Sequence, residues 1–274
     1  MKGRAQAKTA REGGSVRYSA RVEYDGTDFA GFQVQPRGRT VQAEIERVLT
    51  AIGGGERVRV DGAGRTDAGV HSRGQVIAFT YPGRLAPEAL RTALNGLLPA
   101  DISIGRLRRV DEAFRPRYRA RHREYRYSIW NGQRSALRER FAFTVLDTLD
   151  VAAMQEAAQV FVGEHDFSAF GGKDRQPIRT VHKVKVRRKR EEITIVVVGN
   201  AFLRGMVRRM VAALLRVGRG QATVQDVRNA LEGRAPAFKG ESAPAHGLVL
   251  WEVPMGPERN WKTEASSERS EQQD

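Results

Sequence analysis

Val16-Arg17-Tyr18-Ser19-Ala20-Arg21-Val22-Glu23-Tyr24 alternates strictly. Tyr18, Ala20, Val22 and Tyr24 fall on one side, and Arg17, Ser19, Arg21 and Glu23 on the other. A period of two predicts a half-buried strand, and the Asp25-Gly26 pair behind it supplies the turn that ends it. Further on, Thr40 stands where an N-cap belongs. Val41, Ile45, Val48, Leu49 and Ile52 follow at helical spacing, and Gly53-Gly54-Gly55 stop the helix. Short strands are expected at residues 57–60 and 75–81. A second helix from Pro87 carries Leu90, Leu94, Leu97 and Leu98, and Ile102, Ile104 and Leu107 mark a last strand. The order is β-α-β-β-α-β.

The second half repeats that order. Tyr125, Tyr127 and Ile129 share one face of a strand at 124–130. Asp150 caps a helix through Val151, Met154, Ala158 and Phe161 that Gly163 halts, and residues 181–188 and 193–199 form a hairpin turning at Arg190-Glu191. Met206, Val207, Met210, Val211, Leu214 and Leu215 make a strongly apolar helix. A short helix starts at Thr223, and residues 247–253 close the unit. The expected fold class is therefore α+β: two tandem split β-α-β halves, ferredoxin-like or RRM-like, with antiparallel sheets flanking a central cleft. The halves span residues 16–112 and 113–256, joined by the arginine-dense segment 113–123. A flexible basic arm (1–15) precedes them and a disordered polar tail (257–274) follows. The repeat is one of topology; residue identity between the halves is not evident.

The formal net charge of +15, with Lys and Arg together at 47 against 32 acids, implies a polyanionic partner, most simply nucleic acid. Most of the cations are arginine, whose planar fork grips phosphate at two points and stacks on bases. The absence of cysteine excludes disulfides and thiolate metal sites and fits a cytoplasmic protein. The five histidines are dispersed without ligand spacing, so no metal is expected. No apolar run approaches a membrane span, and the amino terminus lacks the apolar core of a secretory signal.

Between the second and third strands lies Gly62-Ala63-Gly64-Arg65-Thr66-Asp67-Ala68-Gly69-Val70-His71. Glycines there, and at position 74, admit unusual backbone shapes and close approach of a ligand. Asp67 has no second carboxylate beside it, so any acid–base or nucleophilic work it does is done alone. GxGxxG and GxxxxGK[ST] phosphate loops are both excluded. On local pattern alone the segment equally fits a surface turn.

Several stretches together closely resemble the bacterial tRNA pseudouridine synthase A family. They are Glu23-Tyr24-Asp25-Gly26 with Phe29-Ala30-Gly31-Phe32-Gln33; Gly64 to His71 with Gly74-Gln75-Val76; Tyr125-Arg126-Tyr127; Asp166-Phe167-Ser168-Ala169-Phe170; Asn200-Ala201-Phe202-Leu203-Arg204-Gly205-Met206-Val207-Arg208; and Gly247-Leu248-Val249-Leu250. They occur in family order across residues 18–253. The chain departs from the family at Gly205, where histidine is common, which could loosen the start of that helix, and at Trp251.

The resemblance implies isomerisation of uridine to pseudouridine at tRNA positions 38, 39 and 40 in the anticodon stem-loop. It further implies no cofactor, nucleotide or metal, and a homodimer whose subunits together hold one tRNA. Asp67 matches the catalytic aspartate, with Arg65 and Arg208 as candidates to keep it ionised. Arg65 could alternatively hold a phosphate or fill the space left by a flipped base. Tyr125 matches the active-site tyrosine, its ring stacking on uracil and its hydroxyl a candidate to take the proton from carbon 5. Strand alternation alone would make Tyr125 a core residue. Leu248 matches an apolar residue packed on the target base. His71 is expected to be structural, Asp25 and Asp28 to belong to a turn, and Arg115, Arg117, Arg119, Arg121 and Arg123 to meet phosphates as a group. The alternatives are a non-catalytic RNA-binding or RNA-chaperone protein on the same scaffold and, more distantly, a metal-dependent nuclease, for which no ligand cluster is visible.

Overall fold

The computed structural model describes residues 14–172, 175–234, 238 and 240–256. The basic arm, but for residues 14 and 15, and the polar tail beyond 256 lie outside the described residues. The first half contains β1 (Val16–Tyr24), α1 (Val41–Ile52), β2 (Val60–Gly62), β3 (His71–Tyr81), α2 (Pro87–Leu97) and β4 (Ile102–Arg109). A one-turn helix, α3 (Pro116–Arg119), lies in the connector. The second half runs β5 (Arg123–Trp130), β6 (Phe143–Thr144), α4 (Val151–Gln159), β7 (Gly163–Asp166), β8 (Ile178–Lys189), β9 (Glu192–Gly199), α5 (Met206–Gly218), α6 (Val224–Leu231) and β10 (Leu248–Glu252). The expected caps are in place: Thr40 accepts a hydrogen bond from the Ala43 amide, Asp150 from the Ala153 amide, and Thr223 forms a reciprocal capping box with Asp226.

Within each half the strand order is the same. β4-β1-β3-β2 is matched by β10-β5-β9-β8, and the pairings inside each set are antiparallel. The two sets are edges of one continuous sheet rather than separate sheets, because β10 pairs in parallel with β3 through Val249–His71 and Leu250–Ser72. The length of β3 makes the join possible. Its distal residues 77–79 take β2, which starts at Val60 rather than at 57, and its first two residues are left for β10.

Helices cover one face, where the apolar sides of the strands lie. Tyr18, Val22, Ile45, Leu49, Phe79, Leu90 and Leu94 are buried in the first core. Tyr127, Phe161, Ile195, Met210 and Leu214 are buried in the second. Each such side chain contributes about 1.5–3 kcal/mol relative to exposure. The 8–9 hairpin turns at Arg190-Glu191 with Arg190 at φ 56°, as a two-residue loop between twisted strands requires. Gly163 does not end a helix, since α4 stops at Gln159; at φ 118° it opens β7.

Candidate active site

Residues 63–70 leave β2 and re-enter β3 at the place where β10 joins the sheet. The loop is fastened along its length. The Ala63 amide donates to Val76 O, and Gln75 Nε2 donates to Gly64 O at 2.9 Å. Thr66 O accepts from the Phe32 amide, and Thr66 Oγ1 lies 2.8 Å from the Tyr24 hydroxyl. Burial pushes that tyrosine's pKa up to about 12 against the opposing hydrogen bonds of Thr66, Gln75 and Ser72. Gly69 turns the chain at φ 76°, and its amide donates to Phe29 O. Ala63 and Val70 pack into the core of the other half.

His71 closes the loop in the structural role expected of it. Its Nδ1 accepts from the Gly26 amide at 2.9 Å, and its Nε2 lies 3.1 Å from His246 O. Burial lowers its pKa, against the pull of the Asp25 carboxylate 3.1 Å away and the carbonyl and backbone contacts of His246 and Arg140. With its pKa lowered, the ring is neutral at neutral pH. Asp25 serves a turn, accepting from the Thr27 amide and hydroxyl.

Asp67 is 27% exposed and faces the amino-terminal end of α5. Its Oδ2 lies 3.6 Å from Arg208 Nη1, and its Oδ1 3.9 Å from Arg204 Nε. Arg208 is held from behind, its Nε donating to Ala243 O at 2.7 Å. Arg204 is 90% exposed. Gly205, at φ 71°, does not loosen the helix; it caps it, and α5 begins at the next residue. A β-carbon at 205 would stand 4.0 Å from Asp67 Oδ2, which puts the carboxylate beside a helix terminus that favours negative charge.

Tyr125, on β5, packs its ring edge-on to Phe202 at 5.3 Å between centroids. Burial raises its pKa above the ordinary 10.0, with Tyr24 and Asp67 adding to the rise and Arg123 opposing it. The hydroxyl has no hydrogen-bond partner among the described residues. It is a neutral phenol at neutral pH.

The structure thus brings Asp67, Arg208 and Tyr125 together. Arg65 is exposed and its guanidinium has no partner among the described residues, so it does not hold Asp67. Leu248 is buried in the second core, opposite Tyr127 in register. Sequence reasoning missed Arg204, although its spacing of four from Arg208 was the available signal. Arg123, expected to meet phosphates together with its arginine neighbours, is engaged within the protein. Arg123 donates to Ala63 O, Arg117 O and Asn200 O, and is a strut between loop, connector and strand end. Arg115 likewise donates to Glu112 O and Phe114 O.

Two like-ordered β-α-β units thus meet at a seam that holds one carboxylate between two guanidiniums. A family model described as tRNA pseudouridine synthase matches residues 20–119 and 157–254, and the chain belongs to that family. It is 43% identical over 241 residues to "tRNA pseudouridine synthase A" of Thermosipho melanesiensis, covering 86% of this chain and 98% of the relative. It is 43% identical over 244 residues to the protein of that name in Shouchella clausii, covering 88% and 94%. The one in Anoxybacillus flavithermus is 39% identical over 240 residues, covering 86% and 98%. The family is one of isomerases that act on tRNA. No helix among the described residues is long and apolar enough to cross a membrane.

Proposed function

We propose that the protein converts uridine to pseudouridine at positions 38, 39 and 40 of the tRNA anticodon stem-loop, with Asp67 as its single catalytic group and nucleophile. The observation that carries this reading is the place of Asp67: one carboxylate at the seam of the two halves, between Arg208 and Arg204, and close enough to Tyr125 to raise its pKa. In the reaction the glycosidic bond from C1′ to N1 breaks, the uracil turns, and C1′ bonds to C5. The C5 proton leaves and N1 is protonated, so nothing is oxidised or hydrolysed. A carboxylate suits the work because it can add to the substrate and leave again. Arg208, fixed by a carbonyl, places a guanidinium 3.6 Å from that carboxylate.

A base in a stem must leave its stack before Asp67 can reach it, at a cost of a few kcal/mol. Stacking on Tyr125 offsets part of that, Leu248 backs the pocket, and the unpartnered Arg65 is free to take a phosphate or fill the vacancy. The raised pKa of Tyr125 favours stacking over proton abstraction as its role. Residues 16–112 then form the half that carries the catalytic loop and 113–256 its counterpart. The resemblance supports a homodimer that works in the cytoplasm without a cofactor.

The test is to incubate the protein with an unmodified tRNA transcript, without added cofactor, and map carbodiimide-dependent stops of reverse transcription. Stops confined to 38–40 are expected. A transcript with none contradicts the proposal, and stops elsewhere refute its choice of positions.

A further inference from the structure

The connector presents an aromatic ring that packs on nothing. Tyr118, in α3, is 83% exposed, and no ring stacks on it and no cation covers it among the described residues. A single exposed tyrosine is ordinary on a protein surface. This one differs in how firmly it is held.

Phe114 and Pro116 on either side of Arg115 are buried, and the proline fixes the first turn of the helix. One nitrogen of Arg123, Nη2, donates at 2.9 Å both to Arg117 O and to Ala63 O, so the residue before Tyr118 and the base of the Asp67 loop share a clamp. The residue after it is fixed as well, because Arg119 O accepts from the Gly256 amide at 2.7 Å. Ala120 bridges Met255 beyond it. The backbone of α3 is therefore fastened on three sides, to the catalytic loop, to β5 and to the chain after β10, while its one aromatic side chain stands in solvent.

On a backbone fixed in this way, a tyrosine ring has only its two side-chain torsions to lose when something lies on it. Its neighbours say what that is. Arg117 and Arg121 are exposed on the same short segment, in a chain of net charge +15. Aromatic faces flanked by guanidiniums are the arrangement that takes unstacked nucleobases of single-stranded RNA.

We infer that Tyr118 is a second stacking platform, which holds an unpaired base of the tRNA outside the Asp67 pocket while Arg117 and Arg121 meet the adjoining phosphates. This rests on the RNA-binding reading of the cleft given above. Because α3 and the loop that carries Asp67 share the Arg123 clamp, a base on Tyr118 is held at a fixed place relative to that loop and adds to binding there. Tyr118 positions the substrate and takes no part in the bond changes.

The experiment measures tRNA affinity in an Asp67→Asn background, where binding is read apart from turnover, and steady-state kinetics with Asp67 intact. Tyr118→Ala is expected to weaken binding about tenfold, the size of one lost base–aromatic stack. KM should rise accordingly, with kcat unchanged. Tyr118→Phe should retain native affinity, since the ring and not the hydroxyl makes the contact. In Tyr118→Trp the added indole should be quenched by tRNA, and by a single-stranded RNA hairpin loop in preference to a fully paired duplex. Native affinity in Tyr118→Ala, equal loss in Tyr118→Phe, or an indole indifferent to RNA overturns the inference. Turnover surviving in Asp67→Asn would overturn the catalytic proposal instead, and leave the Tyr118 binding result standing.

Discussion

The two halves share one strand order, yet the link between their second and third strands differs. In the second half, β8 and β9 are 12 and 8 residues long and join through Arg190-Glu191 alone. In the first, β2 has 3 residues, and residues 63–70 stand between it and β3. A short β2 leaves the start of β3 unpaired, and β10 takes that edge. The longer link is then pressed against the other half, so that Ala63 and Val70 belong to the second core while the loop belongs by chain order to the first. A tight hairpin is a local device for turning a chain. Once lengthened and packed across a seam, the same connection becomes a place to hold a carboxylate between elements that neither half supplies alone.

That comparison can be broken most severely at Gly74, where β10 crosses β3. A β-carbon there would lie 2.4 Å from Trp251 O and 2.9 Å from Glu252 Cα, both backbone atoms. Gly74→Ala should therefore destabilise the protein by about 1–3 kcal/mol, the usual cost of overpacking. At Gly64, in the loop itself, a β-carbon meets nothing within 4 Å, so Gly64→Ala should be nearly neutral for stability. Urea unfolding of both variants checks the contrast. Equal midpoints would mean that the seam does not depend on close approach.

A smaller effect should appear with pH. His71 is neutral in the native protein, its pKa held below the ordinary 6.5 chiefly by burial. In the unfolded chain it takes a proton as pH falls through 6.5, while the native ring does not. The unfolded state then binds more protons, and stability drops as pH falls from 6.5 towards the lowered native value. Above 6.5 this contribution is complete and flat. Thermal unfolding followed across that window should show the slope, and His71→Gln should lose it. An unchanged slope in the variant would place its source elsewhere.

Much of this was legible in the sequence. Alternation at Val16–Tyr24 and helical spacing after Thr40 are local signals, and both elements stand where they predict. The loop was legible through its match to the family's motif, since on local pattern alone it fits a surface turn. What escaped was decided at long range. Nothing near His71 says that its strand will pair with Val249, and nothing near Arg123 says that carbonyls from two distant segments will converge on its guanidinium. β6 and β7, of 2 and 4 residues, are too short to show a period. Arg65 stood two residues from Asp67 in sequence, but the partners the fold supplies come from the start of α5, some 140 residues on in the chain.

The most direct trial of the whole account is a comparison of Asp67→Asn with the unaltered enzyme on one tRNA transcript, scoring pseudouridine formed and RNA bound in parallel. Asparagine keeps the shape and loses the negative charge, so product should vanish while tRNA is retained on the protein. Pseudouridine accumulating at the unaltered rate would show that the oxygen between Arg204 and Arg208 is a bystander.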